Sequence, residues 1–492
     1  MKDLKQKAIK TEKMIRKLHE IIDTCIKHDK TEAALEAMMV CSHLLSSYIL
    51  ETDSFLENKV DHFSDCLIDT KLSDSSENKT ILFYDGICND ARGLKLVYIN
   101  ALLNLGYKII YVVDDRYDKF NGQKELEKLV TGKSFTIITY KYSREILPRI
   151  NGLNDIVNQI APSKIFIYAF PHDVLAAIVF TAYEGMIKRF KIVLSDMNFN
   201  IGNRMADTFI EFREYGINYS INKRHIPKDR VTLLPLYPYY NSAISFRGFP
   251  FSSLDGKKIV FSGGGTHKIE DPNRVYLNLV EKMLKYPDIV FLYAGYSDKI
   301  PDNGLIDLKN KYPGRVELQP ERDDLFRIME NSDFYLDTYP IAGGLMVNFA
   351  LAADTVPLSL TVDCKVLSNS NALIEDIYFS DIDELMREFE RLYLDKNYYN
   401  ERKEKIRGAF MSQEEYEAKL QNIISNNLQN GDFQYDDFEK EFLSMQKVHM
   451  KDFSYEYFVR HIICSDNYWE LRNILFFYFI RRRVSNLIGM LK

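Results

Sequence analysis

Two glycine-containing turns in the second half of the chain combine residue types that bind phosphate. The first, residues 263–268, reads Gly-Gly-Gly-Thr-His-Lys, and the second places the pair Gly343-Gly344 directly before a short apolar run over 345–353. Glycine lets the backbone approach a ligand closely because it has no Cβ, and a helix N-terminus stabilises an anion through its unpaired amides. The turns indicate a phosphate-bearing ligand, and tight turns of an ordinary α/β domain are the alternative interpretation.

A predicted strand precedes each turn and a helix follows it. In residues 332–360 the first strand ends at Asp337, and Pro340 breaks the pattern because proline has no amide to give to a ladder. Strand ends of a parallel sheet meet at one edge, so we expect these positions to converge. Lys268 and Arg322 are candidate countercharges for phosphate, and arginine suits bidentate contacts. The predicted ligand-binding residues are Gly263, Gly264, Gly265, Thr266, Lys268, Gly295, Arg322, Asp337, Gly343, Gly344 and Leu345.

The composition describes a protein with ample cores and no basic excess. Of 492 residues, 46% are hydrophobic and 13% aromatic, and the formal net charge is −6. This length predicts two or three domains, and the charge disfavours nucleic acid as a partner. The six cysteines lack the paired spacing of a zinc site or a disulfide framework, which favours a reducing compartment. No signal peptide is recognisable, and the longest apolar run, 474–480, is far shorter than the roughly 20 residues that span a bilayer. We therefore expect a cytoplasmic protein.

Hydrophobic periodicity divides the chain into four segments. Residues 1–72 are predicted to be helical, because apolar residues recur there at helical spacing, and a polar break over 73–78 follows. Strands and helices alternate over 79–240 and again over 256–428, which predicts two α/β, doubly wound, Rossmann-like domains. Residues 429–492 are predicted to form a helical tail rich in aromatic residues.

Two stretches carry a family resemblance. Residues 332–360 resemble the catalytic half of GT-B glycosyltransferases, especially the O-linked N-acetylglucosamine transferase and the bacterial cytoplasmic protein N-glucosyltransferases. The run Leu336-Asp337-Thr338-Tyr339-Pro340 matches a strand end of that family, and Gly343 matches its turn. Residues 196–215 are similar to a stretch of related bacterial sugar transferases, where an aromatic-x-x-Gly turn precedes an acidic, helix-like segment.

Three positions depart from the family pattern. Gly344-Leu345-Met346 stands in place of a hydroxyl-rich turn, and Asp354-Thr355-Val356 replaces the glycine before the last proline. Met197 stands where a histidine follows the aspartate in the pattern. Backbone contacts to a diphosphate could survive these changes, but contacts from side-chain hydroxyls could not.

The resemblance implies a GT-B fold, in which two Rossmann-like domains face each other across a cleft, with an N-terminal helical segment and C-terminal helices. It implies a glycosyltransferase of the hexosyltransferase type that moves a sugar from a nucleotide diphosphate-sugar to a protein or a surface-glycan precursor. A UDP-sugar is the first candidate for the donor. The second domain would hold the donor and the first the acceptor. No isolated D-x-D signature occurs at a strand edge of the donor domain, which favours a metal-independent reaction without a cofactor.

Such a transferase, if it inverts the sugar, needs a base on the acceptor side. His172 follows a predicted strand of the first domain, and the pKa of a histidine is ordinarily near neutrality, so His172 is the first candidate. Asp90 and Asp196 are the reserves. A histidine that caps the following helix is an equally good interpretation of His172.

Two other functions fit the same fold. A nucleotide-sugar 2-epimerase would need several carboxylates and histidines in one cleft, and the sparse histidines weigh weakly against it. A binding or accessory subunit of a glycosylation or secretion system would explain the lost hydroxyls. The partners are then a nucleotide-sugar and a protein or lipid-linked glycan acceptor, and a homo-oligomer stays open. The basic, amphipathic end, 469–492, is predicted either to touch a membrane surface or to pack against the body or a second subunit.

Overall fold

The computed structural model describes residues 2–48, 52–72, 79–88, 94–117, 123–195, 199–240, 242–271, 273–297, 304–360 and 376–426. Residue contacts divide the chain into two compact units: the first runs to Leu234 and resumes at Gln421, and the second spans Pro235–Leu420. Each unit contains one parallel sheet with helices around it. The sequence-based domain boundaries stay predictions, and the predicted tail, 429–492, lies outside the described residues together with its amphipathic end.

Three helices open the first unit, in agreement with the periodicity of this segment: α1 (Lys2–Lys27), α2 (Thr31–Tyr48) and α3 (Ser54–Leu67). They share one apolar core with the sheet domain. Leu35 and Met38 of α2 belong to the same buried cluster as Leu175 and Ile178 of the helix Val174–Thr181. Because removal of apolar surface from water is the main stabilising term in folding, the helical segment and the sheet domain stabilise each other.

The first unit contains seven parallel strands: β1 (Thr80–Asp85), β2 (Lys108–Asp114), β3 (Phe135–Tyr140), β4 (Lys164–Tyr168), β5 (Lys188–Ile192), β6 (Thr208–Glu211) and β7 (Val231–Leu233). They lie in the order β3-β2-β1-β4-β5-β6-β7. The helices between them are α4 (Leu94–Asn104), α5 (Gln123–Val130), α6 (Ile146–Ile160), α7 (Val174–Thr181) and α8 (Glu214–Asn222). The strand order reverses between β1 and β4, and ligands of doubly wound sheets bind beyond the carboxyl ends of strands at such a point.

The structure differs from the sequence-based description around residues 188–215 in one element type and one boundary. The acidic stretch that resembled a helix is strand β6, and strand β5 begins at Lys188, two residues before the predicted start at Phe190. The reason is a buried ion pair. Arg189 lies in β5, and its guanidinium donates to both carboxylate oxygens of Asp207, at 3.2 and 2.6 Å. In the sequence alone, the charge of Arg189 argues against a buried strand. The ion pair with Asp207 neutralises this charge, so the strand can be buried.

The second unit contains six parallel strands: β8 (Lys258–Gly263), β9 (Ile289–Ala294), β10 (Val316–Gln319), β11 (Phe334–Leu336), β12 (Val356–Leu360) and β13 (Tyr378–Phe379). Their order is β10-β9-β8-β11-β12-β13, which reverses between β8 and β11. The helices are α9 (Val275–Met283), α10 (Leu305–Lys311), α11 (Leu325–Glu330), α12 (Leu345–Ala352), α13 (Ile382–Leu394) and α14 (Lys396–Ile406). Helix α15 (Gln413–Ile424) begins in the second unit and ends in the first. The two predicted glycine turns follow β8 and β11, so they lie at the two strands where the order reverses.

The described part of the chain also bears on membrane insertion and on metal binding. No helix there is long and apolar enough to cross a membrane. Within the same residues, no group of three or more histidine, cysteine, aspartate and glutamate side chains is placed to hold a metal ion.

Two glutamates attach the opening helices to the sheet domain through backbone amides. Glu32 of α2 accepts hydrogen bonds from the N–H groups of Ile146 and Leu147 in the first turn of α6, the latter at 2.9 Å. Glu57 of α3 accepts from the N–H groups of Gly202 and Asn203 at 2.9 and 2.8 Å. A carboxylate at a helix N-terminus satisfies amides that have no partner within the helix. Both contacts are therefore specific, in addition to the apolar core.

The Glu57 contact predicts a stability that depends on pH. Burial raises the pKa of Glu57 from 4.5 to about 7, against the lowering effect of the two N–H groups. The folded state then holds a proton that the unfolded state loses between pH 4.5 and 7, so stability falls as the pH rises through this window. From pH 5 to pH 8 the loss should be about 2 to 3 kcal/mol relative to Glu57→Gln. Chemical denaturation of both proteins at several pH values measures it. A parent that instead becomes more stable relative to Glu57→Gln as the pH rises would show that the two N–H bonds outweigh burial.

Candidate functional site

The reversal point of the second sheet brings three loops together. After β8, the N–H of Gly264 donates to the carbonyl of Ala294 at 2.9 Å, and the carbonyl of Gly264 accepts from the Tyr293 hydroxyl at 3.0 Å. After β11, the N–H of Ile341 donates to the carbonyl of Lys268 at 3.2 Å. The loops after β8, β9 and β11 therefore form one connected surface at the carboxyl edge of the sheet.

The carboxylate of Asp337 holds the loop after β11 in place. Its Oδ1 accepts hydrogen bonds from the N–H groups of Thr338 and Gly343, at 2.9 and 2.7 Å, and from the Tyr335 hydroxyl at 3.2 Å. Its Oδ2 accepts from the Ser359 hydroxyl at 2.9 Å. Burial raises the pKa of Asp337, and these donors together with the charge of Lys268 oppose the shift. The residue predicted to contact a ligand thus positions the turn that would do so.

Helix α12 begins where this turn ends. Gly344 precedes its first residue, Leu345, and carries no side chain that could cap the helix. Within the described part of the chain, the N–H groups of Gly344 and Leu345 have no protein acceptor, as is usual at a helix N-terminus. The positive end of the helix and these two amides form an anion-binding arrangement made only of backbone.

Gly295 allows the glycine loop after β8 to lie close to its neighbour. Its φ is +100°, and an added Cβ would lie 2.5 Å from the carbonyl oxygen of Gly264. A Cβ on Gly264 would lie 3.5 Å from Cδ of Lys268 and 3.8 Å from Cγ2 of Thr338. The aliphatic stem of Lys268 therefore runs beside Gly264, and its charge acts on Asp337. Thr266 is buried at the start of the same turn, next to Gly265.

Arg322, the other predicted countercharge, is engaged inside the second unit. Its Nε and Nη2 donate to the two carboxylate oxygens of Asp324 at 2.8 and 2.6 Å, and Nη2 also donates to the carbonyl of Gly248 at 3.1 Å. Burial, which alone would raise the pKa of Asp324, is outweighed by hydrogen bonds from Arg322 and Arg247, which lower it to about 2. This bidentate pair accounts for Arg322 structurally, and the role of Arg322 and Lys268 as countercharges stays a prediction.

In the first unit, His172 lies after β4 at the reversal point of the sheet. Its Nδ1 is 3.4 Å from the Ser46 hydroxyl of α2, its ring is edge-on to His43 at 4.5 Å, and it stacks on Phe170 at 5.3 Å. The cap of α7 is Asp173, whose carboxylate accepts from the N–H of Ala176 at 3.0 Å, so His172 does not cap that helix. Asp90 and Asp196, the alternative bases, lie outside the described residues.

Burial lowers the pKa of His172 to about 3, and the charges of His43 and Lys191 add to the shift. The imidazole is therefore neutral near pH 7, which is the form that accepts a proton. Its conjugate acid is also far more acidic than the near-neutral value that suits a general base. Contact with α2, together with this low pKa, makes His172 a constituent of the interface between the helical segment and the sheet.

Several polar residues of this edge were not among the predicted site residues. Asp173 accepts a hydrogen bond from the Tyr84 hydroxyl at 3.1 Å, and Lys191, fully enclosed in β5, donates to the carbonyl of Ala169 at 3.3 Å. Burial lowers the pKa of Lys191 to about 8. Arg149 in the first turn of α6 was missed too, because nothing in its local sequence marks it. Only the positions of Asp173 and Tyr84 at strand ends could have drawn attention to them.

The fold matches solved structures of known proteins. Anabaena HepE, crystallised with UDP and glucose and also with UDP-glucose, superposes with a TM-score of 0.54 at 12% identity, covering 70% of this chain and 99% of HepE. A putative UDP-N-acetylglucosamine 2-epimerase from Listeria monocytogenes gives a TM-score of 0.51 at 10% identity, over 73% of this chain and 99% of the other. No family model matches the chain, and no curated protein matches it in sequence. The GT-B fold that the sequence predicts, with two parallel sheets of seven and six strands, is confirmed.

Gly343→Ala tests the turn held by Asp337. An added Cβ would lie 2.7 Å from Oδ1 of Asp337 and 2.9 Å from the Tyr335 hydroxyl, closer than Cβ atoms approach such groups. We expect a loss of about 1 to 3 kcal/mol in the stability of the protein, measured by chemical denaturation. Gly152→Ala, in the middle of α6 with its nearest neighbour at an ordinary 3.4 Å, is the control and should be neutral or stabilising by up to about 1 kcal/mol. Equal stability of Gly343→Ala and the parent would contradict the contact.

His172 should make the protein sensitive to acid. The folded pKa, about 3, lies below the unfolded value of 6.5, so protonation favours the unfolded state, and stability falls as the pH drops below 6.5. At pH 5 the parent should have lost about 2 kcal/mol that His172→Asn does not lose. Denaturation curves of the two proteins at pH 7.5 and pH 5 measure the difference. A parallel loss in both proteins would place the sensitivity elsewhere.

Proposed function

We propose that this protein is a glycosyltransferase that moves a sugar from a nucleotide diphosphate-sugar, a UDP-sugar first, to a protein or a surface-glycan precursor in the cytoplasm. The observation that carries the proposal is the backbone anion-binding arrangement at the reversal point of the second sheet. There, Asp337 fixes the turn through Gly343, and the amides of Gly344 and Leu345 have no protein acceptor among the described residues. HepE, which has the same fold, is known with UDP and with UDP-glucose.

In this proposal the diphosphate of the donor binds to the N-terminus of α12 and to the glycine loop of residues 263–265. Lys268 beside Gly264 supplies the positive charge, and the helix end supplies the dipole. The family's hydroxyl contacts are absent here because Leu345 and Met346 carry none. Binding then depends on the main chain, which Gly343 and Gly295 allow to approach closely. The acceptor side belongs to the first unit, where Asp90 and Asp196 stay candidates for the base and His172 is the weaker candidate, because burial lowers its pKa to about 3.

A nucleotide-sugar 2-epimerase is the second candidate, supported by the likeness to the putative Listeria enzyme. The two reactions give different products from one substrate. Incubation with UDP-glucose or UDP-N-acetylglucosamine, followed by chromatography, should yield UDP and a transferred or hydrolysed sugar from a transferase. An epimerase would return a nucleotide-sugar with inverted C2. Binding without either product would favour the accessory-subunit alternative.

Nucleotide binding is the direct test of the donor site. The protein is titrated with UDP, GDP, CDP and dTDP, first without metal and then with magnesium. We expect UDP to raise the melting temperature and to bind in calorimetry under both conditions. Lys268→Met should weaken UDP binding about tenfold or more, since it removes one charge-assisted contact to phosphate. Lys285→Met, an exposed lysine after α9, is the matched control and should bind as the parent does. If none of the four nucleotides binds, the donor site and with it the proposed function are wrong.

A further inference from the structure

A second basic cluster lies at the carboxyl edge of the first sheet, and the proposed donor site makes no use of it. We call it the Arg149 cluster: Arg116 after β2, Tyr140 and Tyr142 at the end of β3, and Arg149 in the first turn of α6. The guanidinium carbons of Arg116 and Arg149 lie 3.4 and 5.2 Å from the centre of the Tyr142 ring. Two arginines thus share one aromatic ring where ligands of such sheets bind.

Arg149 is half-buried and differs from the fully buried arginines of the unit, Arg189 and Arg224. Its Nε is buried and, within the described part of the chain, has no hydrogen-bond partner. In that same part of the chain no carboxylate lies within ion-pair distance of its guanidinium, whereas Arg189 and Arg224 pair with Asp207 and Glu211. Burial of an unpaired charge is costly, and proteins normally satisfy such groups. A guanidinium without a carboxylate partner among the described residues, at the edge of the sheet where ligands bind, is suited to an anion from outside the protein.

The neighbouring acids are already engaged. Asp114 holds Arg116 through two hydrogen bonds, at 3.0 and 2.7 Å. Asp173 accepts from the Tyr84 hydroxyl and from the N–H of Ala176. Burial raises the pKa of Tyr140, which keeps its hydroxyl neutral beside Arg149. Among the described residues, the cluster therefore offers one guanidinium without a carboxylate at ion-pair distance, together with neutral hydroxyl groups.

We propose that the Arg149 cluster binds an oxyanion, a phosphate or carboxylate group, carried by the acceptor. This rests on the proposed function, because it assigns the acceptor to the first unit and gives it a chemical class. Guanidinium is suited to such groups because its planar fork donates two parallel hydrogen bonds to two oxygens. Of the acceptors that the fold leaves open, a charged glycan precursor fits better than a neutral one.

Calorimetry with small probes tests the cluster. Inorganic pyrophosphate represents a phosphate-bearing acceptor and glucuronate a carboxylate-bearing one, and glucose is the neutral match for glucuronate. Titrations are made with saturating UDP, so that the donor site is occupied. We expect at least one anion to bind, glucose not to bind, and Arg149→Met to weaken the anion about tenfold or more. Arg144→Met, an exposed arginine before α6 with the same change in charge, should bind as the parent does.

The two anions distinguish the sources of the group. Binding of pyrophosphate alone assigns a phosphate, and binding of glucuronate alone assigns a carboxylate. Failure of both anions to bind, or equal binding by Arg149→Met and the parent, overturns the proposal. If UDP does not bind, the probes are titrated without it against Arg149→Met and Gly343→Asp. Sensitivity to Arg149→Met alone then supports the cluster although the donor site has failed.

Stability separates a ligand-binding arginine from a structural one. Without any anion, Arg149→Met should melt at the same temperature as the parent or higher, because it removes a half-buried charge that forms no ion pair with the described residues. A lower melting temperature would mean that Arg149 supports the fold. In that case Arg149→Lys, which keeps the charge but loses the fork, must melt like the parent and still bind the anion more weakly. Parental anion binding by Arg149→Lys would then overturn the proposal.

Discussion

The carboxylate of Asp337 is the interaction on which the geometry of the second unit's site depends. It links the end of β11, the start of the following turn, the glycine before α12 and the neighbouring strand β12, through Tyr335, Thr338, Gly343 and Ser359. A buried carboxylate is destabilising unless donors surround it, and here two amides and two hydroxyls do so. The turn can therefore expose the amides of α12 only because a charge beneath it is satisfied.

The first unit also depends on carboxylates whose charge is satisfied by hydrogen-bond donors or by a basic side chain. Glu32 and Glu57 attach helices α2 and α3 to backbone amides of the sheet domain, and Lys95 and Asp85 form a fully buried ion pair at the end of β1, at 2.9 Å. Buried ion pairs add little net stability, but loss of one partner is costly because the other charge stays buried. These contacts fix the positions of the helices and loops relative to the sheet more than they stabilise the apolar core. They hold the loops at the carboxyl edge of the sheet where the Arg149 cluster lies.

The sequence predicts this fold well where pattern is local. Apolar strands, glycine turns and helix periodicity are properties of short windows, and they place the turns at residues 263–268 and 343–344 at the ends of β8 and β11. Contacts between distant residues are not visible in such windows. Strand β5 has three basic residues in five, and only its pairing with Asp207 explains why it is buried. His172 resembles a base at a strand end, and only folding brings it against Ser46, 126 positions earlier in the chain.

The departures from the family pattern at Leu345 and Met346 acquire a physical meaning from the structure. Main-chain amides recognise a diphosphate by charge and geometry, without a side chain that evolution must preserve, provided that the turn itself is rigid. Asp337 supplies that rigidity, and Gly343 lies too close to it to tolerate a Cβ. Selectivity must then come from other groups. The Arg149 cluster of the first unit is proposed to be such a group, because a guanidinium would distinguish a charged acceptor from a neutral one without any further hydroxyl contact at the donor turn.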